Sequence, residues 1–132
     1  MSTPLADPAP SSTGLEPNLA AALAYLAGPV SGLLILIVER SNTFVRFHAW
    51  QSVLGLGGLA ALAVATLIFS FLTLLISPLA FTVMYRLSEV AAGVWVVAWV
   101  WCLVTAFNGR ASKLPVAGRF AGRLATRPEP PR

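Results

Sequence analysis

The sequence predicts an all-α membrane protein, with three transmembrane helices followed by a short basic amphipathic C-terminal segment. Three observations carry this. Of 132 residues 57% are hydrophobic and 11% are charged, less than half the charge of a soluble domain, where about a quarter of residues are charged. The charges are also segregated: 22 residues separate Glu16 from Glu39 and 39 separate Arg46 from Arg86, interrupted only by His48. A third uncharged run covers 90–108, and about 20 apolar residues suffice to span a bilayer core. Finally, basic residues collect after the last run, where Arg110, Lys113, Arg119, Arg123, Arg127 and Arg132 face a single Glu129.

Residues 1–17 hold four Pro, three Ser and two Thr with only Asp7 and Glu16 charged, a composition that predicts a disordered tail. The transmembrane domain follows over 18–109, with spans at about 19–38, 44–77 and 88–107. The first run has no preceding Lys or Arg and exceeds the apolar core of a signal peptide, so it is expected to stay as a span. Asn18 can cap it. Ala20, Ala24, Gly28 and Gly32 recur every four residues, a strip where another backbone can approach closely. Its partner is either the chain's own second helix or a second copy. Pro29 crowds the carbonyl of Tyr25 and predicts a kink, part of which Ser31 can satisfy.

Glu39 and Arg40 leave the bilayer, and Ser41, Asn42 and Thr43 are turn and cap residues that open the second helix. On it His48, Gln51, Gly55, Gly58 and Leu62 follow steps of three and four, which places them on one face, polar at the surface and small at depth. Phe44, Phe47 and Trp50 fit an aromatic belt, and Arg46 can snorkel towards headgroups. As one helix 43–77 would be roughly 50 Å long, so it projects, tilts or breaks, and a four-span alternative splits 49–85 into two short helices. Ser77-Pro78 is the clearest break. Residues 79–87 form either an interfacial connection or the projecting start of the third helix, with Arg86 and Glu89 spaced to pair. Trp95, Trp99 and Trp101 suit lipid-facing or interfacial positions, and Asn108-Gly109 ends the span.

The basic tail, 110–132, can open a short helix at Pro115. Val116, Phe120 and Leu124 line one stripe of it and Arg119, Arg123 and Arg127 the next, an arrangement suited to an anionic leaflet. Three spans put the loop at 39–43 and the tail on the better-charged side. By the positive-inside rule both are cytoplasmic and the N-terminus is outside.

The chemistry is sparse. One His, one Cys and scattered acids supply neither a nucleophile with its base nor three metal ligands, so no enzyme, cofactor or metal site is expected. The candidate residues are therefore for packing or interaction: Arg46, His48, Gln51, Gly55, Gly58, Gly28 and Gly32, with Arg119, Arg123 and Arg127 at the membrane surface. The expected partners are the bilayer with its anionic headgroups and either a second copy or another membrane protein. Nucleic acid is not expected.

Three pieces carry a resemblance. Phe44-Val-Arg-Phe-His-Ala-Trp-Gln-Ser52 after Gly32-Leu-Leu-Ile-Leu-Ile-Val-Glu-Arg40, Asn18-Leu-Ala-Ala-Ala-Leu-Ala-Tyr-Leu26, and Ala106-Phe-Asn-Gly-Arg-Ala-Ser-Lys-Leu-Pro-Val-Ala-Gly118 resemble a family of small, mostly bacterial integral membrane proteins of unknown function. That family is grouped with the Tic-twenty component of the chloroplast inner-envelope import machinery. The resemblance implies a plasma-membrane location and a role as an accessory or pore component of a translocation complex. The residues themselves suggest a non-enzymatic helix bundle, with a small-molecule transporter subunit, using a wet path along Gly55 and Gly58, as the further alternative.

Overall fold

The computed structural model describes residues 10–126. Two helices are long and apolar enough to cross a membrane, Thr43–Leu74 and Pro78–Phe107, and among the described residues there are no strands. The first of these consists of α3 (Thr43–Gln51), a π-helical turn (Ser52–Leu56) and α4 (Gly57–Leu74). The second is α5 (Pro78–Phe107). Their starts are set locally. The Asn42 side chain accepts from the Val45 N–H at 3.1 Å, and the Ser77 hydroxyl accepts from the Ala80 N–H at 3.4 Å with Pro78 in the first helical position. Residues 43–74 are thus one long helix, the uncharged run breaks at Ser77-Pro78, and residues 79–87 are the start of α5.

The first apolar run departs from expectation. In place of a kinked span over 19–38 there are two ten-residue helices, α1 (Pro17–Leu26) and α2 (Pro29–Val38), each about 15 Å long, half a hydrocarbon core. Between them Gly28 takes φ 61°, a conformation glycine adopts without strain. Pro29 has no N–H for the Tyr25 carbonyl, which accepts instead from the Gly28 N–H at 2.9 Å and the Trp99 indole at 2.7 Å. The Ser31 hydroxyl is shared by the Ala24 and Gly28 carbonyls at 3.0 Å. A break inside an apolar bundle is tolerated because neighbouring groups satisfy the freed backbone.

The contacts along these arms fix their direction. Asn18 lies against Gly109 just past the end of α5, Gly28 against Trp95, and Gly32 against Ala49 and Ser52. Glu39 accepts from the Asn42 N–H at 2.9 Å. So α1 runs antiparallel to α5 and α2 antiparallel to α3, and the run goes in and returns as a hairpin whose two ends sit at one end of the long helices.

Residues 10–16, expected to be part of a disordered tail, are tied down there. Both Glu39 carboxylate oxygens accept from the Ser12 N–H at 3.0 and 3.1 Å, and Ser11 Oγ donates to the same carboxylate. A carboxylate closed off from solvent draws donors from whatever chain is near. Residues 1–9 and 127–132, including Arg127, lie outside the described residues.

The C-terminal segment joins the same end. After Gly109 (φ 71°) the chain runs back beside α3, then rises as α6 (Ala117–Ala125). Gly118, Ala121 and Ala125 form the buried face of α6. Phe120 of the expected apolar stripe stays 54% exposed, because small residues let α6 approach closely and bulky ones do not fit. Segment 110–126 is therefore a packed part of the bundle rather than a separate tail.

Candidate functional site

The most developed polar feature is a sealed cluster where α1, α3, α5 and residues 110–114 meet. Tyr25, His48, Gln51 and Cys102 all have no solvent exposure. Gln51 Nε2 donates to the Ser112 carbonyl at 2.8 Å and to the Tyr25 hydroxyl at 3.2 Å, and lies 3.8 Å from Cys102 Sγ. Gln51 Oε1 accepts from the Leu114 N–H at 3.1 Å. One backbone donor and one backbone acceptor thus fix the orientation of the amide.

The proton bookkeeping extends to the histidine. The Tyr25 hydroxyl, which accepts from Gln51, is also hydrogen-bonded to His48 Nδ1 at 2.9 Å, with the direction of that bond set by the imidazole tautomer. Nε2 lies by the Arg110 backbone without completing a well-formed hydrogen bond. The ring is caged edge-on by Tyr25, Phe44 and Phe47, with centroids 4.6–5.6 Å away. Phe44 and Phe47 are therefore inside the bundle, not in the expected lipid-facing belt.

The other candidates distribute around this cluster. Arg46 donates from Nη1 to the Glu39 carbonyl at 3.0 Å and closes the end of α2. Gly28 and Gly32 are buried on the Ala20–Ala24 strip, which faces the chain's own α3 and α5. The Gly28 carbonyl accepts from Ser52 Oγ at 2.8 Å. Gly55 faces Leu114 and Ala117, whereas a side chain at Gly58 would meet nothing within 4 Å. The expected continuous face from His48 to Leu62 is split because the π-helical turn inserts extra winding between its halves. Arg119 and Arg123 are exposed on α6.

Several participants escaped the sequence reading. Trp95 and Trp99 are not lipid-facing: their indoles donate to the Leu56 carbonyl at 2.9 Å and the Tyr25 carbonyl at 2.7 Å. The signal available was the pairing of Pro29 with an unsatisfied carbonyl four residues earlier. Glu39 is the other omission. Burial alone would raise its carboxyl, but the Asn42, Ser12 and Ser41 N–H groups and the Ser11 hydroxyl outweigh it and lower it to about 2. It therefore holds a negative charge at neutral pH, at the N-terminus of α3 where the helix dipole favours it.

The arrangement is a lock, with every buried side-chain polar atom of the described residues except His48 Nε2 and the Trp50 indole nitrogen hydrogen-bonded within the chain. Among the described residues no three of His, Cys, Asp or Glu come together.

Several known proteins are similar. A membrane protein of Archaeoglobus fulgidus designated UPF0132 is 32% identical over 107 residues, 81% of this chain and 93% of the relative. Two UPF0132 membrane proteins of Methanocaldococcus jannaschii are 36% and 34% identical over 110 residues each, 83% of this chain and 89% and 71% of theirs. No family model and no solved structure matches the chain. The resemblance to a membrane-protein family of unknown function thus holds, whereas none of these relatives supports its extension to Tic-twenty or protein import.

Proposed function

The chain belongs to the UPF0132 family of membrane proteins, and on that premise we propose that it is a non-enzymatic, two-span membrane bundle that works by association with other membrane components. The observation that carries this reading is the burial of Tyr25, His48 and Gln51, which have no solvent exposure and bond to one another and to the backbone, so that a substrate has no access to them. Arg40, Arg46, Arg110, Lys113, Arg119 and Arg123 belong to the locked end, while Arg86 stands 21 residues before the end of α5, about 30 Å away. By the positive-inside rule the locked end is cytoplasmic, and residues 10–16 lie on that side with the C-terminal segment.

A photo-crosslinking residue at position 51 in native membranes tests the role. Adducts within the chain are expected, whereas a translocating polypeptide trapped there would overturn it and revive the import reading. Cysteines at 12, 41 and 123 test the orientation. All three should react with an impermeant thiol reagent in inverted vesicles and none in intact cells, and a split pattern would restore a three-span topology. A wet transporter path is disfavoured at Gly55, where Leu114 and Ala117 lie closest and offer water no hydrogen-bonding side chain.

A further inference from the structure

An apolar groove of about 590 Å³ runs beneath α6, walled by Leu54 and Leu59 from the first long helix, Val94 and Ala98 from α5, and Phe120 and Leu124 from α6 itself. This volume is in the range of small-molecule sites, yet no charged side chain lines it. Water fills such a groove poorly, since it offers almost nothing to hydrogen-bond. Its opening has the opposite character. Of the groove residues on the C-terminal segment, three directly follow a base: Lys113 precedes Leu114, Arg119 precedes Phe120 and Arg123 precedes Leu124. All three bases are exposed, and among the described residues none is ion-paired, the single pair being Arg86 with Glu89. On α6 the steps 119 to 123 and 120 to 124 make adjacent stripes, so cations border the apolar wall along its length.

We infer that this groove holds one acyl chain of an anionic phospholipid, whose phosphate is taken by Arg119 and Arg123. Both halves of the ligand are specified: a hydrocarbon tail by walls of carbon, and a fixed negative charge beside it by unpaired guanidinium groups, which bind phosphate through several donors at once. The inference rests on the reading that the locked end meets a lipid surface, and it adds a defined lipid to that reading. The test uses the full chain purified in mild detergent, exposed to equal amounts of phosphatidylglycerol and phosphatidylcholine and weighed intact by native mass spectrometry. One retained phosphatidylglycerol is expected, preferred by roughly 30-fold, from about 1 kcal/mol for each of two basic residues.

R119Q/R123Q should bring that preference close to one, while V94W, which fills the groove from a half-exposed position, should lose retention of both lipids. R86Q should change neither. Equal retention of the two lipids by the wild type, a preference that survives R119Q/R123Q, or a loss equalled by R86Q would each overturn the assignment. So would retention undiminished in V94W with its circular dichroism intact. Should inorganic phosphate displace the lipid, the site is an anion site without a tail pocket, and the groove is not part of it. None of these results depends on what crosslinks to position 51, so the lipid can fail while the proposed role stands.

Discussion

The two ends of the long helices are built on different principles. At the locked end polar groups cross between elements: Gln51 to Ser112 and Leu114, Tyr25 to His48, Ser52 to Gly28, and the Trp95 and Trp99 indoles to backbone carbonyls. At the other end α4 and α5 pack alone. Thr66, Ser70, Thr73, Thr82 and Ser88 each bond a carbonyl of their own helix, and Phe71 meets Phe81 across the pair at 5.7 Å. In a bilayer the hydrophobic effect does not draw helices together. Where many elements meet, crossing hydrogen bonds and close backbone approach specify the geometry. Where only two meet, a short turn and shape suffice.

Breaking that contrast takes substitutions chosen for one end or the other, read as unfolding free energy by denaturing detergent in bicelles. Gln51→Ala should cost about 3 kcal/mol, because it strands the Leu114 N–H and the Ser112 carbonyl and leaves a cavity. A loss under about 1 kcal/mol would mean that water or relaxation replaces the amide. Gly32→Ala should cost about 2 kcal/mol, since its Cβ would sit 2.9 Å from the Ala49 carbonyl oxygen and 2.9 Å from Ser52 Cβ, an overpacked site with backbone on one side. Midway along the two long helices Gly58→Ala and Gly93→Ala meet nothing within 4 Å and should each stabilise by up to about 1 kcal/mol through helix propensity. A penalty there would reveal a partner on that face. Arg86→Ala removes a 2.7 Å pair that is largely exposed, and the change should be a few tenths of a kcal/mol at most.

Acid sharpens the contrast from another side. The Glu39 carboxyl is held at about 2 against an ordinary 4.5. Its contribution is thus present above about pH 4.5 and is lost as pH falls towards 2. The protection factor for hydrogen exchange at Ser12, corrected for the intrinsic pH dependence, should fall across that window. Glu39→Gln should lower it at neutral pH and flatten the dependence, and unchanged protection in both would remove the carboxylate from the tether.

The same division separates what the sequence could say from what it could not. Asn42, Ser77-Pro78, Asn108-Gly109 and the Arg86–Glu89 pair were legible because each acts within one turn of itself. The strip from Ala20 to Gly32 was legible as a packing face, but not its two-part course. A proline after a glycine reads as a kink in a span or as the tip of a hairpin, and the choice lies with residues such as Ser12, Gly109 and Trp99 far away in the chain. The candidate site was half visible. His48 and Gln51 drew notice as polar residues beside an apolar run, whereas Tyr25, Trp99 and Cys102 carry their polar atoms on side chains that composition counts as apolar.

The five residues Ser52–Leu56 give the long helix two phases. Before them, α3 presents His48 and Gln51 to α1 and to the C-terminal segment; after them, α4 packs against α5. Deleting Val53 would let the helix close as a regular α-helix and turn one portion against the other by about 100°. Either portion could then keep its neighbours, but not both. The wide turn works as a phase coupling that lets one continuous rod serve two assemblies with different angular settings.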